Sequence, residues 1–355
     1  MTHKVVVIGA GVVGLTAALY LLEKGHDVTM VAKNIPGDID IEYTSIFAGA
    51  NWMSFAQDDE IFYQELDRPG YGYFMNLARN EPQSGVHIIP HHCYFRKSQL
   101  VNGKVPYAWY VKESFVENVR YLEKSELPSN EDEDDEFVAG VSFDTVTIST
   151  NIYLHYLLQK IYALGGTLKR KTIKHIDDAY NLHHSGEKAE IVVNCSGLLS
   201  RFLGGVEDEK SYPIRGQILL IRNSAKKQLF LTTPGFKDES LYIFPRKEGG
   251  SIVGGTFIPN QWSGVVDPEL AKRMIARAKK YLPELVDPKL GNDPEIDVYR
   301  YTVGLRPGRE GGPRIERVGS IIHNYGIAGS GYQASIGLSQ LVVRFAEEFF
   351  NRSKL

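Results

Sequence analysis

Six residues near the start of the chain, Gly9-Ala10-Gly11-Val12-Val13-Gly14, limit the fold more than any other stretch. They follow the apolar run Lys4 to Ile8, which reads as a buried parallel strand. Leu15, Ala18, Leu19 and Leu22 come next at helical spacing, and Gly25 stands where a helix stops. Asp27 to Val31 then reads as a second strand. Strand, glycine turn, helix and strand fit within about thirty residues, the length of a βαβ unit. In G-x-G-x-x-G the first glycine permits the tight turn. The second lets backbone approach a pyrophosphate, and the third lets helix and strand pack closely. Phosphates then meet unpaired N–H groups at the helix N-terminus. Dinucleotide binding through Gly9, Ala10, Gly11, Val12, Val13 and Gly14 is therefore expected. Which dinucleotide stays open at this point. An acid usually ends the second strand and takes the ribose hydroxyls, but here that place reads Val31-Ala32-Lys33-Asn34, and Lys33 also suits the extra phosphate of NADP.

The rest of the chain decides the class. Residues 45 to 150 are dense in aromatics without clear β-α alternation. Glu131 to Glu136 is a run of six acids that reads as a solvated loop. Helical spacing returns over 152–164, a buried strand over Glu190 to Asn194 followed by Ser196-Gly197, and strand alternation over 212–258. The chain closes with a strand at 320–323, a glycine-rich turn at 326–331 and an amphipathic helix from Tyr332 to Phe350. Nucleotide-type signals thus stand at the start, middle and end. They predict an α/β fold in which a Rossmann-like domain (1–50, 145–205 and 300–355) is interleaved with a mixed β-sheet domain for substrate (51–144 and 206–299).

A net charge of -3 with no basic excess argues against nucleic acid or an anionic membrane as partner. No apolar run reaches the length of a membrane span. The start of the chain enters a strand almost at once, and two cysteines, Cys93 and Cys195, allow no disulfide framework, so an intracellular protein is expected. His91, His92 and Cys93, and the pair His183-His184, have spacings unlike zinc motifs, and neighbours on a strand point to opposite faces. No metal is expected there. Cys195 reads as buried packing.

Several segments in order resemble the D-amino acid oxidase family, above all its fungal branch. They are Tyr43-Thr44-Ser45, Ala48-Gly49-Ala50-Asn51-Trp52, Val193-Asn194-Cys195-Ser196-Gly197, Pro213-Ile214-Arg215-Gly216-Gln217, Tyr242-Ile243-Phe244-Pro245-Arg246 and Gly254-Gly255-Thr256. Val303-Gly304-Leu305-Arg306-Pro307, running on through Arg309, Gly311, Gly312, Pro313 and Arg314, is the most specific. His323-Asn324-Tyr325-Gly326 and Gly329-Ser330-Gly331-Tyr332-Gln333 close the series. The resemblance covers nearly the whole chain. It implies FAD as cofactor, since a basic residue at Lys33 is tolerated with FAD in that family. It carries the cofactor contacts to Gly9, Gly11, Gly14, Lys33, Thr44, Ser45, Gly49, Asn51, Ile173, Ser196, Gly197, Arg306, Gly329, Ser330, Gly331, Tyr332 and Gln333.

The chemistry implied moves a hydride from the substrate α-carbon to flavin N5 and needs a clamp rather than an acid-base dyad. On residue type alone Arg306 reads as a surface arginine and Tyr242 as a core-facing strand aromatic. The resemblance makes them the clamp on the substrate carboxylate, with the Gly329 carbonyl accepting from the ammonium. A guanidinium suits a carboxylate because it donates two parallel hydrogen bonds. Family members selective for D-aspartate commonly place arginine after Gly-Gly-Thr and, in fungi, histidine at the position of Asn51. Here Phe257 follows Thr256 and neither base is present. Asn51, Phe55, Phe244, Phe257 and Trp262 are expected to line an apolar side-chain pocket, with Arg215 and Arg246 as long cations of unknown placement. The expected activity is a D-amino-acid oxidase for neutral substrates, with D-amino acid and O2 as small-molecule partners. A D-aspartate oxidase, an NADP-dependent dehydrogenase and a non-catalytic dinucleotide module are the alternatives, and a homodimer is compatible with the resemblance.

Ser353-Lys354-Leu355 matches the S-K-L peroxisomal address and predicts a peroxisomal import receptor as partner. Removing these three residues is expected to leave specific activity unchanged and to move the protein to the cytosol. Fluorescence microscopy of tagged full-length and truncated chains checks it, and a truncated chain that stays in peroxisomes refutes the address.

Overall fold

The computed structural model describes residues 2–128, 136–232, 237–286 and 295–352. The acidic run, apart from Glu136, and the Ser353-Lys354-Leu355 tail lie outside the described residues. In chain order the elements are β1 (Lys4–Ile8), α1 (Val12–Glu23), β2 (Asp27–Ala32), α2 (Ile61–Asn80), β3 (Val86–Arg96), α3 (Trp109–Lys112), β4 (Glu117–Tyr121) and β5 (Phe137–Ile148). Then come α4 (Thr150–Ala163), β6 (Thr167–Arg170), β7 (Ile191–Asn194), β8 (Ser211–Ile221), β9 (Gln228–Thr232), β10 (Glu239–Pro245), β11 (Ser251–Thr256) and β12 (Ile258–Pro259). The last are α5 (Pro268–Tyr281), β13 (Val298–Arg309), β14 (Arg314–Val318), β15 (Ile321–Tyr325) and α6 (Ser335–Arg352).

Among the described residues the strands form two sheets. The smaller runs β14-β15-β7-β1-β2-β6, and the larger β12-β8-β11-β10-β9-β3-β5-β4 with β13 pairing along β8. In the smaller sheet β1 pairs in parallel with β2 and with β7. Val5, Val6 and Val7 are fully buried, as a central parallel strand covered on both faces requires. Helix α1 packs against both α4 and α6, which is why its sequence is apolar nearly all round. Its junction with β1 is set by glycines. Gly9 stands at φ +99°, and a β-carbon on it would overlap the Cys195 carbonyl oxygen. One on Gly14 would overlap the carbonyl oxygen of Gly9. The third glycine of the motif thus does what the sequence assigns to it, the close packing of helix on strand.

The larger sheet is antiparallel except where β3 meets β9. Side chains alternate along its strands, so it has two faces. On one, Leu219, Ile243 and Val253 pack against Leu270, Ala271 and Met274 of α5. Helix α5 starts where Asp267 accepts from the N–H groups of Glu269 and Leu270, with Pro268 in the first turn. On the other face, Ile218, Tyr242, Phe244 and Ile252 cluster with Phe230 and Phe257.

Three features differ from the sequence expectations. Residues 300–309, expected with the nucleotide-binding segments, pair along β8 in the larger sheet. The two glycines and the proline of that stretch, Gly304, Gly308 and Pro307, hide a strand. Residues 145–148 end β5 in the same sheet. Helix α2, with Pro69 and Gly70 inside it, runs for twenty residues through the stretch where the sequence shows no clear β-α alternation. Among the described residues no helix is long and apolar enough to cross a membrane.

Gly70 marks the closest approach of α2 to the turn before α6, since a β-carbon there would overlap the Gln333 carbonyl oxygen and lie 3.3 Å from the Trp52 ring. Gly70→Ala is expected to cost about 1–3 kcal/mol, because backbone meets backbone and neither side can yield cheaply. At Gly72 nothing lies within 4 Å of the added carbon. Gly72→Ala is therefore expected to be neutral or to stabilise by up to about 1 kcal/mol through helix propensity. Urea denaturation of both variants checks the contrast.

Candidate active site

A cavity of about 450 Å³ opens where β1, β2 and β7 end, the place where open α/β sheets take their ligands. Its wall includes Gly9, Ala10, Gly11, Val13, Gly14, Lys33, Thr44, Ser45, Ile173, Ser196, Gly197 and Pro307. Thr44, Ser45, Val13 and Pro307 also line a second cleft, which continues past Val12, Ala48, Gly216, Gly304, Arg306, Gly329, Gly331 and Tyr332. The two spaces together form one long site, wide at the sheet and narrow at the arginine.

Residues 43–45 are held by several bonds. The Ser45 hydroxyl accepts from the Val12 N–H at 3.0 Å. Tyr43 donates to the Ala10 carbonyl at 2.6 Å, and Tyr332 donates to the Ser45 carbonyl at 2.8 Å. The Thr44 hydroxyl donates to the Leu305 carbonyl on β13. A single short segment therefore ties the glycine turn to the larger sheet and to the last turn. Gly11 keeps a narrow gap, since a β-carbon there would sit 2.9 Å from the Ser45 hydroxyl.

Lys33 reaches this cavity, but its ammonium lies 2.5 Å from the carboxylate of Glu42, with Asp40 3.9 Å away. The acid missing at the end of β2 is supplied from the next loop, since Glu42 also lines the cavity. A lysine so paired is poorly placed to receive the extra phosphate of NADP. Glu42 was not legible because no fixed spacing from the glycine turn marks it.

At the narrow end Arg306 lies half-buried on β13. It donates to the Thr256 carbonyl at 2.8 Å and to the Tyr242 hydroxyl at 3.3 Å. Its guanidinium stands 4.3 Å from the centre of the Phe257 ring. No carboxylate partners it among the described residues. Tyr242 stacks on Phe244 with ring centres 5.1 Å apart. Burial pushes the Tyr242 phenol up, with Arg306 pulling the other way. Glycines make room for this group. A β-carbon on Gly216 would overlap the Arg306 guanidinium, and one on Gly254 would overlap the Tyr242 ring. Gly329 is exposed beside them, and a β-carbon on it would lie 3.7 Å from Arg306 Cδ.

Other expected site residues sit elsewhere. Phe55 is 47% exposed and meets Phe230 edge-on. Together with Ser330 it lines a separate cleft bounded by Tyr63 and Tyr212. Trp262 is exposed and pairs with Phe202 at the nucleotide cavity. Gly49 packs beneath Phe244, whose ring a β-carbon there would overlap. Asn51 directs its amide to Gln228 at 3.0 Å, and Gln333 directs its amide to Asp67 at 3.0 Å. These two amides face the protein interior rather than the cofactor cavity. Phe230, Gly216, Gly254 and Gly304 are the additions, and the sequence signal for the glycines was their place inside strands, which marks close approach.

The thiols of Cys93 and Cys195 are pushed up to about 12 by burial, so neither is a nucleophile. His91 and His92 diverge, as neighbours on a strand do: His91 stacks on Phe143 and His92 meets Tyr94. His183 and His184 do not diverge. They lie in the loop before β7 rather than on a strand, and their rings come within 4.6 Å of each other.

This fold and site define a flavin-dependent oxidoreductase. The FAD dependent oxidoreductase family model matches residues 4–345, and the chain belongs to that family. It is 36% identical to a D-amino-acid oxidase from Fusarium vanettenii, over 100% of this chain and 99% of that one. It is 28% identical to a D-aspartate oxidase from Cryptococcus neoformans var. grubii, over 96% of each. In fold it is similar to glycine oxidase from Bacillus cereus, with a TM-score of 0.70, 20% identity and 98% of each chain covered. The cofactor is FAD, and the residues present fit it. The glycine cradle leaves no space for side chains at Gly9, Gly11 or Gly14, and the carboxylate of Glu42 and the long joined cavity suit a ribose and an extended dinucleotide.

Asp67 fixes the last turn from below, and burial pushes its carboxyl up to about 7 despite hydrogen bonds from Ser54 and Gln333. Its value in the folded chain exceeds that in the unfolded chain. Between about pH 4 and 7 the folded state holds a proton that the unfolded state has lost, so stability falls as pH rises through this window. The slope is at most about 1.4 kcal/mol per pH unit. Urea midpoints at pH 5 and pH 8 are expected to show this decline in the wild type and a flatter profile in Asp67→Asn.

Proposed function

We propose that the chain oxidises neutral D-amino acids at the α-carbon, with FAD in the joined cavities and the substrate held by Arg306, Tyr242 and Gly329. The observation that carries this reading is the Arg306 guanidinium. It is half-buried, held by a carbonyl, a phenol and an aromatic face, and without a carboxylate among the described residues. A substrate carboxylate supplies the missing partner through two parallel hydrogen bonds. FAD, when bound, would supply the two-electron oxidation of the α-carbon, with O2 as final acceptor, so that the products would be an imino acid and H2O2.

The protein's part is orientation. Arg306 and Tyr242 take the carboxylate, and the exposed Gly329 carbonyl accepts from the substrate ammonium. That fixes two of the four α-carbon substituents and so limits which face of the carbon meets the cofactor. Phe244, Phe257 and Phe230 then supply apolar surface for the side chain.

The preference for neutral substrates rests on where the other cations go. Arg215 donates to the carbonyls of Ser263 and Val265 and to Gln217. Arg246 donates to the carbonyls of Ala48 and Ile148. Neither is free to meet a second carboxylate, and Phe257 stands where a base would. A D-aspartate side chain would lose its hydration without gaining a partner, a penalty on the order of several kcal/mol. We place the enzyme in peroxisomes, with the import receptor reading Ser353-Lys354-Leu355, because a peroxide-producing reaction suits that compartment.

Arg306→Ala is expected to raise KM for D-alanine steeply while FAD stays bound, at a cost of about 2–5 kcal/mol in kcat/KM. In the wild type, kcat/KM for D-alanine is expected to exceed that for D-aspartate at one pH. Steady-state peroxide assays with flavin absorbance check both. Near-normal kcat/KM in the variant refutes the clamp, and a clear preference for D-aspartate replaces the neutral-substrate reading with that of a D-aspartate oxidase.

A further inference from the structure

We propose that Asp27, His183 and His184 form a binding site for Zn2+ or a chemically similar divalent ion, joining the first residue of β2 to the loop that leads into β7. The potential ligand atoms of the three residues all lie within 4.8 Å of one another. Asp27 Oδ1 is 3.6 Å from His183 Nε2 and 3.5 Å from His184 Nε2. Ligands at roughly 2.0–2.1 Å from a tetrahedral zinc ion stand about 3.3–3.4 Å apart, so the three need move little to close on an ion.

The outer nitrogens each face a hydroxyl that can accept from Nδ1–H, although His183 Nδ1 in the free chain accepts from the Ser185 N–H at 3.3 Å and gives up that bond on taking the proton. His183 Nδ1 meets the Ser185 hydroxyl at 2.8 Å, and His184 Nδ1 meets the Thr29 hydroxyl at 2.9 Å. Such bonds fix the ring and leave Nε2 to the ion. Without an ion, His183 Nε2 donates to the Asp27 carbonyl at 3.1 Å. Binding moves that proton to Nδ1, a tautomer change with no change in charge. Two cations stand nearby: Lys4 is paired with Glu187 at 2.8 Å, and Lys169 donates to the carbonyls of Leu182 at 2.9 Å and His183 at 3.3 Å, so each has a partner that lessens its opposition to the ion.

Two imidazoles and one carboxylate select a borderline transition metal over Mg2+ or Ca2+, which want oxygen ligands. The Asp27 and His184 side chains are each about one-third exposed, which leaves a fourth position to water. The site lies at the start of β2, whereas Lys33 and the cofactor cavity follow its end. Five residues of strand separate them by about 17 Å. The ion therefore adds stability to the nucleotide-binding sheet without touching the reaction.

The test uses purified holoenzyme, with ZnCl2 as probe and MgCl2 as control. Zinc at a free concentration a hundred times Kd is expected to raise Tm by about 3–4 °C. Magnesium is expected to leave Tm unchanged, and equilibrium dialysis to give one zinc per chain. His184→Ala and Asp27→Asn change exposed ligands and are expected to fold with the metal-free Tm of the wild type, to keep kcat/KM on D-alanine, and to lose the zinc shift. Absence of a zinc shift in the wild type, or a shift that persists undiminished in either variant, overturns the site. The result is independent of the substrate reading, because its readout is stability.

Discussion

The pairing of β13 along β8 brings the two halves of the molecule to one point. Its register sets Gly304 opposite Gly216 and Arg306 opposite Ile214, so the guanidinium reaches back across the glycines. One residue further on, Pro307 forms part of the wall of both cavities. Thr44 bonds to the Leu305 carbonyl on the same strand, and Thr44 belongs to the segment that steadies the glycine turn. A shift of β13 by one residue would turn Arg306 to the opposite face of the sheet, toward the side covered by α5, and would break the seam between the cavities.

Glycine does most of the spatial work, and that is why much of the site was legible. In the turn, Gly9 and Gly14 are required by backbone contacts, and the motif spacing states them outright. In the larger sheet, Gly216 and Gly254 clear space for a guanidinium and a phenol to lie flat on the strands. The α/β class and the nucleotide cavity follow from segments whose residue types carry their own geometric reason, whereas Arg306 and Tyr242 were legible as site residues only through the resemblance of their segments to a known family.

What was not legible depends on tertiary packing. Asn51 and Gln333 are polar residues beside a site, yet their amides are taken by Gln228 and Asp67 across the fold, at sequence separations no local pattern encodes. Phe55 reads as a pocket aromatic and stands at the surface. Helix α2 carries Pro69, which local propensity treats as a break, but its packing against α6 and β3 outweighs that cost. His183 and His184 were judged by strand geometry, and the loop that holds them obeys no two-residue alternation.

The arginines of the segment around Pro307 show how charge separates structure from function. Arg309 bonds Asp208 at 2.7 Å, and Tyr325 donates to the same carboxylate at 2.7 Å. Burial alone would push the Asp208 carboxyl up, yet these bonds hold it below its usual range, so the cluster is a satisfied ion pair. Arg314 is paired with Glu316 at 2.7 Å. Lys33 is neutralised by Glu42 in the same way. Arg306 alone of these cations has its hydrogen bonds met by neutral groups and its charge met by none among the described residues. A half-buried charge left so carries a desolvation cost that packing does not return. Its neighbours reduce that cost only in part, through a carbonyl, a phenol and an aromatic face. The balance is restored when an anion of the right shape arrives, which ties the cost of the site in the free protein to the affinity it has for a carboxylate.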